Sequence, residues 1–213
     1  EAATALGQIA DESALTPLLN ALNDPEYWTR VRAVEALERL GASHTPQLIQ
    51  LLCFDPRQEV RQRSAQALER LGFVEEKVIE LGSSEPGVSQ EAKRLLLNIA
   101  QQGQTQQLLG YIQDENLRIR IHICEILGES GVASAEPALL QAAEDSSWVV
   151  RIKAITYLAK NPTEIAAQTI QQALMEADEL QRPMIVEALT SLNHSLLEHF
   201  FPQILILLHD DNI

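Results

Sequence analysis

The side chains of this sequence that could do metal or covalent chemistry are few and poorly spaced for it. The five histidines are His44, His122, His194, His199 and His209. His194 and His199 stand five residues apart with no HExxH around them, so the i, i+4 pair of a helical zinc site is missing. A helical-repeat hydroxylase with a di-iron centre would carry repeated His-Glu dipeptides, and there are none. The nine glycines are scattered, with no GxxxxGK[ST] or GxGxxG cradle, and no serine sits in a nucleophile-elbow context. Cys53 and Cys124 have no CxxC partner and read as reduced, buried core residues, in keeping with a cytoplasmic protein. The expectation is no catalytic residue, no metal and no cofactor, and the balance is against an enzyme.

The chemistry that recurs is charge. Arg30, Arg61, Arg120, Arg151 and Arg182 each follow an acid by six residues: Asp24, Asp55, Asp114, Asp145 and Glu176. Placed at 100° per residue, the arginine falls on the apolar side of its helix, where an unpaired guanidinium would cost several kcal/mol. A structural ladder is therefore expected, in which each acid caps its helix and pairs with an arginine of the same or the adjacent repeat. In Asp24-Pro25 and Asp55-Pro56 the acid takes the N-cap and proline the first helical position.

The elements that must position these groups are written repeatedly. RVRAVEALERLG at 30–41 returns as RQRSAQALERLG at 61–72, and its anchor leucine recurs as Leu6, Leu37, Leu68, Leu96, Leu127, Leu158 and Leu189, at steps of 31, 31, 28, 31, 31 and 31. A fixed period of this length predicts stacked helix pairs. The first helix of each pair runs about ten residues, and the second carries the motif. Gly41, Gly72 and Gly131 are expected as left-handed C-terminal caps. Small residues at Ala33, Ser64, Ala65, Ala92, Cys124 and Ala154 let neighbouring helices approach. Residues 1–213 read as a single array, a fragment of a longer one, beginning in the back half of a second helix at 1–10. The exception is the unit at 73–100, where the interval is 28 and the ladder positions hold Ser83 and Ser89, so acid and base are lost together. A softer joint is expected near Gly72 to Gly87. The last unit is irregular too, and Phe200-Phe201 is expected as its core.

Opposite the packed arc, the second helices set two columns of polar groups. One holds Arg32, Arg63, Glu91, His122, Lys153 and Met184; the other holds Arg39, Arg70, Asn98, Glu129, Lys160 and Ser191. The plain reading is pairing at i, i+3 and i+4 with Glu35, Glu38 and Glu69 on a solvated face. The functional reading is a contact surface made of Tyr27, Trp28, Arg32, Glu35, Arg39, Arg63, Gln66, Arg70, His122, Trp148, Lys153 and Lys160. Tyr27 and Trp148 occupy equivalent repeat positions, and aromatic rings beside arginine suit protein contacts when they are exposed.

VRQRSAQALERLG, at 60–72, resembles the short form of the HEAT repeat, the type found in phycobilisome-linker chromophore lyases and bacterial adaptor proteins. The resemblance weakens at 73–100 and after 190. It implies an all-α, right-handed α-solenoid of antiparallel helix pairs, second helices on the concave side, and an Asp and Arg ladder matching Asp55 with Arg61 and the four similar pairs.

Sixteen bases against thirty acids give a net charge of −14, which argues against a nucleic-acid groove and an anionic membrane surface as partners. No apolar run is long enough to span a membrane. The expected function is a protein-interaction scaffold or adaptor that binds an acidic partner in its concave groove. The alternative is a catalytic or non-catalytic subunit of a bilin lyase acting on phycobiliprotein chromophores.

Overall fold

A computed structural model describes residues 14–41, 46–160 and 162–190. His44, His194, His199, His209, Phe200-Phe201 and the stretch 1–10 lie outside the described residues. Within them every regular element is helical: α1 (Leu15–Ala21), α2 (Tyr27–Arg39), α3 (Pro46–Phe54), α4 (Gln58–Arg70), α5 (Phe73–Leu81), α6 (Pro86–Gln101), α7 (Gln106–Leu109), α8 (Leu117–Ser130), α9 (Glu136–Ala142), α10 (Trp148–Leu158), α11 (Glu164–Glu176) and α12 (Gln181–Thr190). A 3-10 turn, Gly110–Gln113, continues α7.

The chain divides into two compact units, Glu1–Leu108 and Leu109–Ile213. In the first, α1 packs on α2, α3 on α4 and α5 on α6, while α2 lies on α4 and α4 on α6. In the second, α9 packs on α10 and α11 on α12, while α8 lies on α10 and α10 on α12. Both units are thus helix pairs whose longer, motif-bearing members stack on one another. The expected joint near Gly72 to Gly87 falls inside the first unit, and the division lies further on, between Leu108 and Leu109. In the 28-residue unit the nine-residue α5 lies against a sixteen-residue α6, which also reaches α3 and α4.

Burial follows the repeat. Leu37, Leu68, Leu96, Leu127, Leu158 and Leu189 are all buried, and so are Ala33, Ser64, Ala65, Ala92, Cys124 and Ala154 at the close approaches. Burial pushes the Cys124 thiol up to about 12, which leaves it an inert filler. Cys53, expected in the core, is only half-buried, with the Arg94 guanidinium 3.8 Å from its Sγ. Gly41, Gly72 and Gly131 end their helices at φ of 68°, 81° and 68°, the left-handed caps that the motif calls for.

The ladder acids do not take the N-cap positions. The N-cap of α2 is Glu26, and Asp24 stands two residues earlier, its Oδ1 accepting from the Glu26 N–H at 2.8 Å. Asp55, Asp114 and Asp145 accept in the same way from Arg57, Asn116 and Ser147. Each acid closes an Asx turn that aims the chain into the second helix. Proline then falls in the turn rather than in the helix.

One packing detail is not repeated. A Cβ built on Gly128 in α8 would stand 2.1 Å from Cγ of Tyr157 in α10. The ring lies on bare backbone, its hydroxyl donates to Glu129 Oε1 at 3.0 Å, and Lys160 Nζ sits 4.4 Å from its centroid. Burial, then the Glu129 contact, holds this phenol above its ordinary pKa. Gly128→Ala should cost about 1–3 kcal/mol by overpacking, and Tyr157→Ala in the same chain should recover most of the loss. Thermal unfolding of the single and double variants checks this; an unshifted Gly128→Ala transition would mean that the ring is not seated there.

Candidate functional site: the ladder and the second-helix face

Arginine from one repeat meets the acid of the next. Arg30 Nε and Nη2 hold Asp55 Oδ2 and Oδ1 at 2.7 and 3.0 Å, across 25 residues, while Nη1 donates to the carbonyls of Asp24 and Pro25 at 2.8 and 3.1 Å. The side chains are 10% and 2% exposed. Hydrogen bonding to Asp55 keeps this guanidinium above its already high pKa. Arg120 repeats the geometry: Asp145 at 2.8 and 3.2 Å, and the carbonyls of Asp114 and Glu115 at 2.9 and 3.3 Å. Every guanidinium in this arrangement is therefore divided between a carboxylate ahead and backbone carbonyls behind. The acid six residues before the arginine contributes its carbonyl, and the carboxylate comes from the adjacent repeat.

Among the described residues three arginines show only the carbonyl half. Arg61 Nη1 donates to Asp55 O at 2.7 Å, and the acid position ahead of it is Ser83. Ser83 Oγ still accepts from the Glu85 N–H at 3.1 Å, so the turn survives where the carboxylate is gone. Ser89, buried at the arginine position, donates to the Pro86 carbonyl at 3.3 Å. Arg151 Nη1 reaches the carbonyls of Asp145 and Ser146 at 2.8 and 3.2 Å. Arg182 Nη2 reaches the carbonyl of Ala177 at 3.0 Å. Glu176 is not a turn acid: α11 runs through it, and Asp178 closes the turn instead, accepting from the N–H groups of Leu180 and Gln181. The fixed six-residue offset misses this slip of two positions.

The second-helix face is less open than the columns suggest. Arg63 is only 18% exposed because α2 clasps it: Glu35 approaches its Nε at 3.5 Å and Glu38 its Nη2 at 2.5 Å, while Gln66 Oε1 lies 3.3 Å from Nη1. Glu38 also accepts from Arg70 at 2.8 Å, and Arg32 holds Glu35 at 2.8 Å. In the second unit, Glu125 receives Lys153 at 2.7 Å and faces His122 Nδ1 at 3.3 Å. Repeat 73–100 reverses the polarity: Glu91 stands in the arginine column and Arg94 grips it at 2.7 and 2.8 Å, holding this carboxyl below the usual range. Pairing thus crosses between helices as well as running along them. Glu38 and Glu125 are partners that single-helix reasoning undervalues. For Glu38 the signal is the interval: Glu38 to Arg63 spans 25 residues, as Arg30 to Asp55 does.

Trp28, 57% exposed, stacks on Tyr27 at 4.7 Å between centroids, and Arg57 Cζ stands 4.8 Å over the Tyr27 ring. Tyr27 is half-buried beneath that guanidinium, and Trp148 is 45% exposed. Arg39, Arg70 and Lys160 lie at the exposed ends of their helices. Among the described residues no three His, Cys, Asp or Glu side chains converge as a metal site would require, and no helix is long and apolar enough to cross a membrane.

Helix pairs joined by an Arg-Asp ladder define a helical-repeat protein of the α-solenoid class. The family profile for HEAT repeats matches residues 1–69 and 105–190, and the chain belongs to that family. The gap between the two matches contains the serine-substituted unit. No curated protein matches the chain in sequence. Among solved structures, human deoxyhypusine hydroxylase in complex with glycerol is 21% identical with a TM-score of 0.43, over 89% of this chain and 77% of that one. An engineered protein is 19% identical with a TM-score of 0.37, over 83% of this chain and 97% of that one. The complex of CpcE and CpcF of phycocyanin lyase from Nostoc sp. PCC7120 is 21% identical with a TM-score of 0.36, over 94% and 82%.

Arg120→Ala should cost about 3–5 kcal/mol, because it leaves the half-buried Asp145 carboxylate without its charge partner. Arg61→Ala, which loses only a carbonyl contact, should cost about 1.5 kcal/mol. Urea unfolding of the two variants measures the contrast, and equal losses would remove the distinction between complete and half-made rungs.

Proposed function

We propose that this chain is a protein-interaction scaffold whose second-helix face binds a partner with an acidic patch. The observation that carries the reading is a stripe on α2. Exposed Trp28 is followed at four and eleven residues by the exposed guanidiniums of Arg32 and Arg39, all on one side of the helix. An indole beside guanidiniums is the composition of interface anchors, and a matching partner supplies an apolar side chain with carboxylates around it. Arg70 extends the surface from α4, and Lys153 and Lys160 occupy the equivalent repeat positions on α10 and just past its end in the second unit. Arg63, Glu35 and Gln66 serve it from below by fixing α2 against α4, and His122 with Glu125 and Lys153 does the same between α8 and α10 in the second unit.

The experiment is capture of a binding partner by the full chain, compared with Trp28→Ala and with Arg32→Glu combined with Arg39→Glu. Each variant should weaken capture by about tenfold or more, with the melting temperature unchanged, and rising salt should weaken capture by the parent. Capture that ignores both variants and salt would sink the reading. Arg63→Glu behaves differently: placed against Glu35 and Glu38, it should lower the melting temperature first.

A further inference from the structure

The second unit holds a groove of about 430 Å³ between α10, α11 and α12, lined by Trp148, Arg151, Ile152, Ile155, Glu176 and Ile185 among others. Arg151 enters it in the posture of a ladder arginine. Its Nη1 is fixed by the carbonyls of Asp145 and Ser146, as that of Arg120 is by Asp114 and Glu115. That fixture sets the direction of the fork. In Arg30 and Arg120 the Nε–Nη2 edge then grips a carboxylate bidentately. Among the described residues no carboxylate meets this edge of Arg151. Glu176, the acid 25 residues on, is exposed at the end of α11, its Oε1 accepting from Gln172 at 2.9 Å. The slip of the turn acid to Asp178 has left the rung open.

We propose that this open rung is a carboxylate-binding subsite for an acidic peptide, an Asp or Glu side chain of a partner entering where Asp55 and Asp145 sit in the complete rungs. The bidentate fork supplies the charge-assisted contact. Trp148 and Ile152 supply an apolar wall for the methylenes and for a neighbouring apolar side chain, above the buried Ile155 and Ile185. Asp145, whose carbonyl holds Arg151, is already committed to Arg120 and to the Ser147 N–H, so its charge is met. Glu144 and Glu176 remain as like charges at the rim, and they restrict entry to a ligand that can use the fork. The subsite lies on the other unit from the Trp28 stripe and rests on the reading of the chain as a scaffold for an acidic partner.

Trp28→Phe leaves Trp148 as the sole indole of the chain, so its fluorescence reports this groove alone. The probe is a synthetic peptide alternating Asp and Leu, titrated into the full-length Trp28→Phe protein at low salt. A saturable change is expected. Arg151→Gln should weaken it by about tenfold or more, Arg151→Lys by less, and Glu176→Gln should tighten it. No saturable change in the parent, or one that Arg151→Gln leaves intact, overturns the subsite. Saturation by N-acetylglutamate as tight as by the peptide overturns the peptide assignment. If Glu176→Gln lowers the melting temperature as much as Arg151→Gln does, the rung closes on itself in solution and the proposal falls. Partner capture lost with Arg32→Glu and Arg39→Glu but insensitive to Arg151→Gln would leave the scaffold reading standing without this subsite.

Discussion

The structure depends on the bidentate contact of Arg30 with Asp55 and its copy, Arg120 with Asp145. Removing two opposite charges from water is expensive, and the attraction between them offsets that only when the geometry is good and the remaining hydrogen-bonding groups are met. Here they are met. Nη1 is taken by carbonyls of the turn that leads into the second helix, and the carboxylate also accepts from an N–H of its own turn. The charges therefore do two jobs at once: they hold repeat to repeat, and they set the angle at which each second helix leaves its turn. The small residues at Ala33, Ser64, Ala65 and Ala154 can bring helices close only because that angle is fixed.

Around the ladder, charge is used mainly internally. Glu38 joins two arginines of the next helix, and Glu125 joins a lysine of the next helix to a histidine of its own. A face that looks basic in a column of single letters is thus a lattice of paired charges with a few exposed ends. Function, on this reading, belongs to what the lattice leaves exposed: the Trp28 stripe with Arg39 and the outer edge of the Glu35-paired Arg32, and the fork of Arg151. These two differ in kind. The stripe is an open surface, suited to rapid electrostatic encounter, whereas the fork is directional and selects geometry.

Much of the fold was legible in the sequence because a repeat tests itself: Leu37, Leu68 and Leu96 are buried for one shared reason, and Ser83 with Ser89 shows two partners disappearing together. The turn chemistry was less legible. An acid followed by proline fits an N-cap and an Asx turn two residues earlier equally well, and only the backbone separates them. The direction of the rung was hidden too, since an offset of six within a repeat is conspicuous and a reach of 25 between repeats is not. Of the contact surface, the sequence left open whether Trp28 is exposed or plugs the stack, and the withdrawal of Arg63 required knowing that α2 lies directly against α4. Gly128 carried no signal, because its role is to be absent beneath a ring that stands 29 residues away.

The complete rungs bear on how such a chain can be divided. Each belongs half to one repeat and half to the next, so a repeat cut at its sequence boundary carries away an arginine without its carboxylate or a carboxylate without its arginine. The covalent period and the chemical period are out of phase. Between Arg61 and Ser83 the phase mismatch disappears, because among the described residues no rung charge pair crosses there to be severed. The unit that breaks the repeat is a seam at which the array could be extended, shortened or recombined without parting a rung's charge pair.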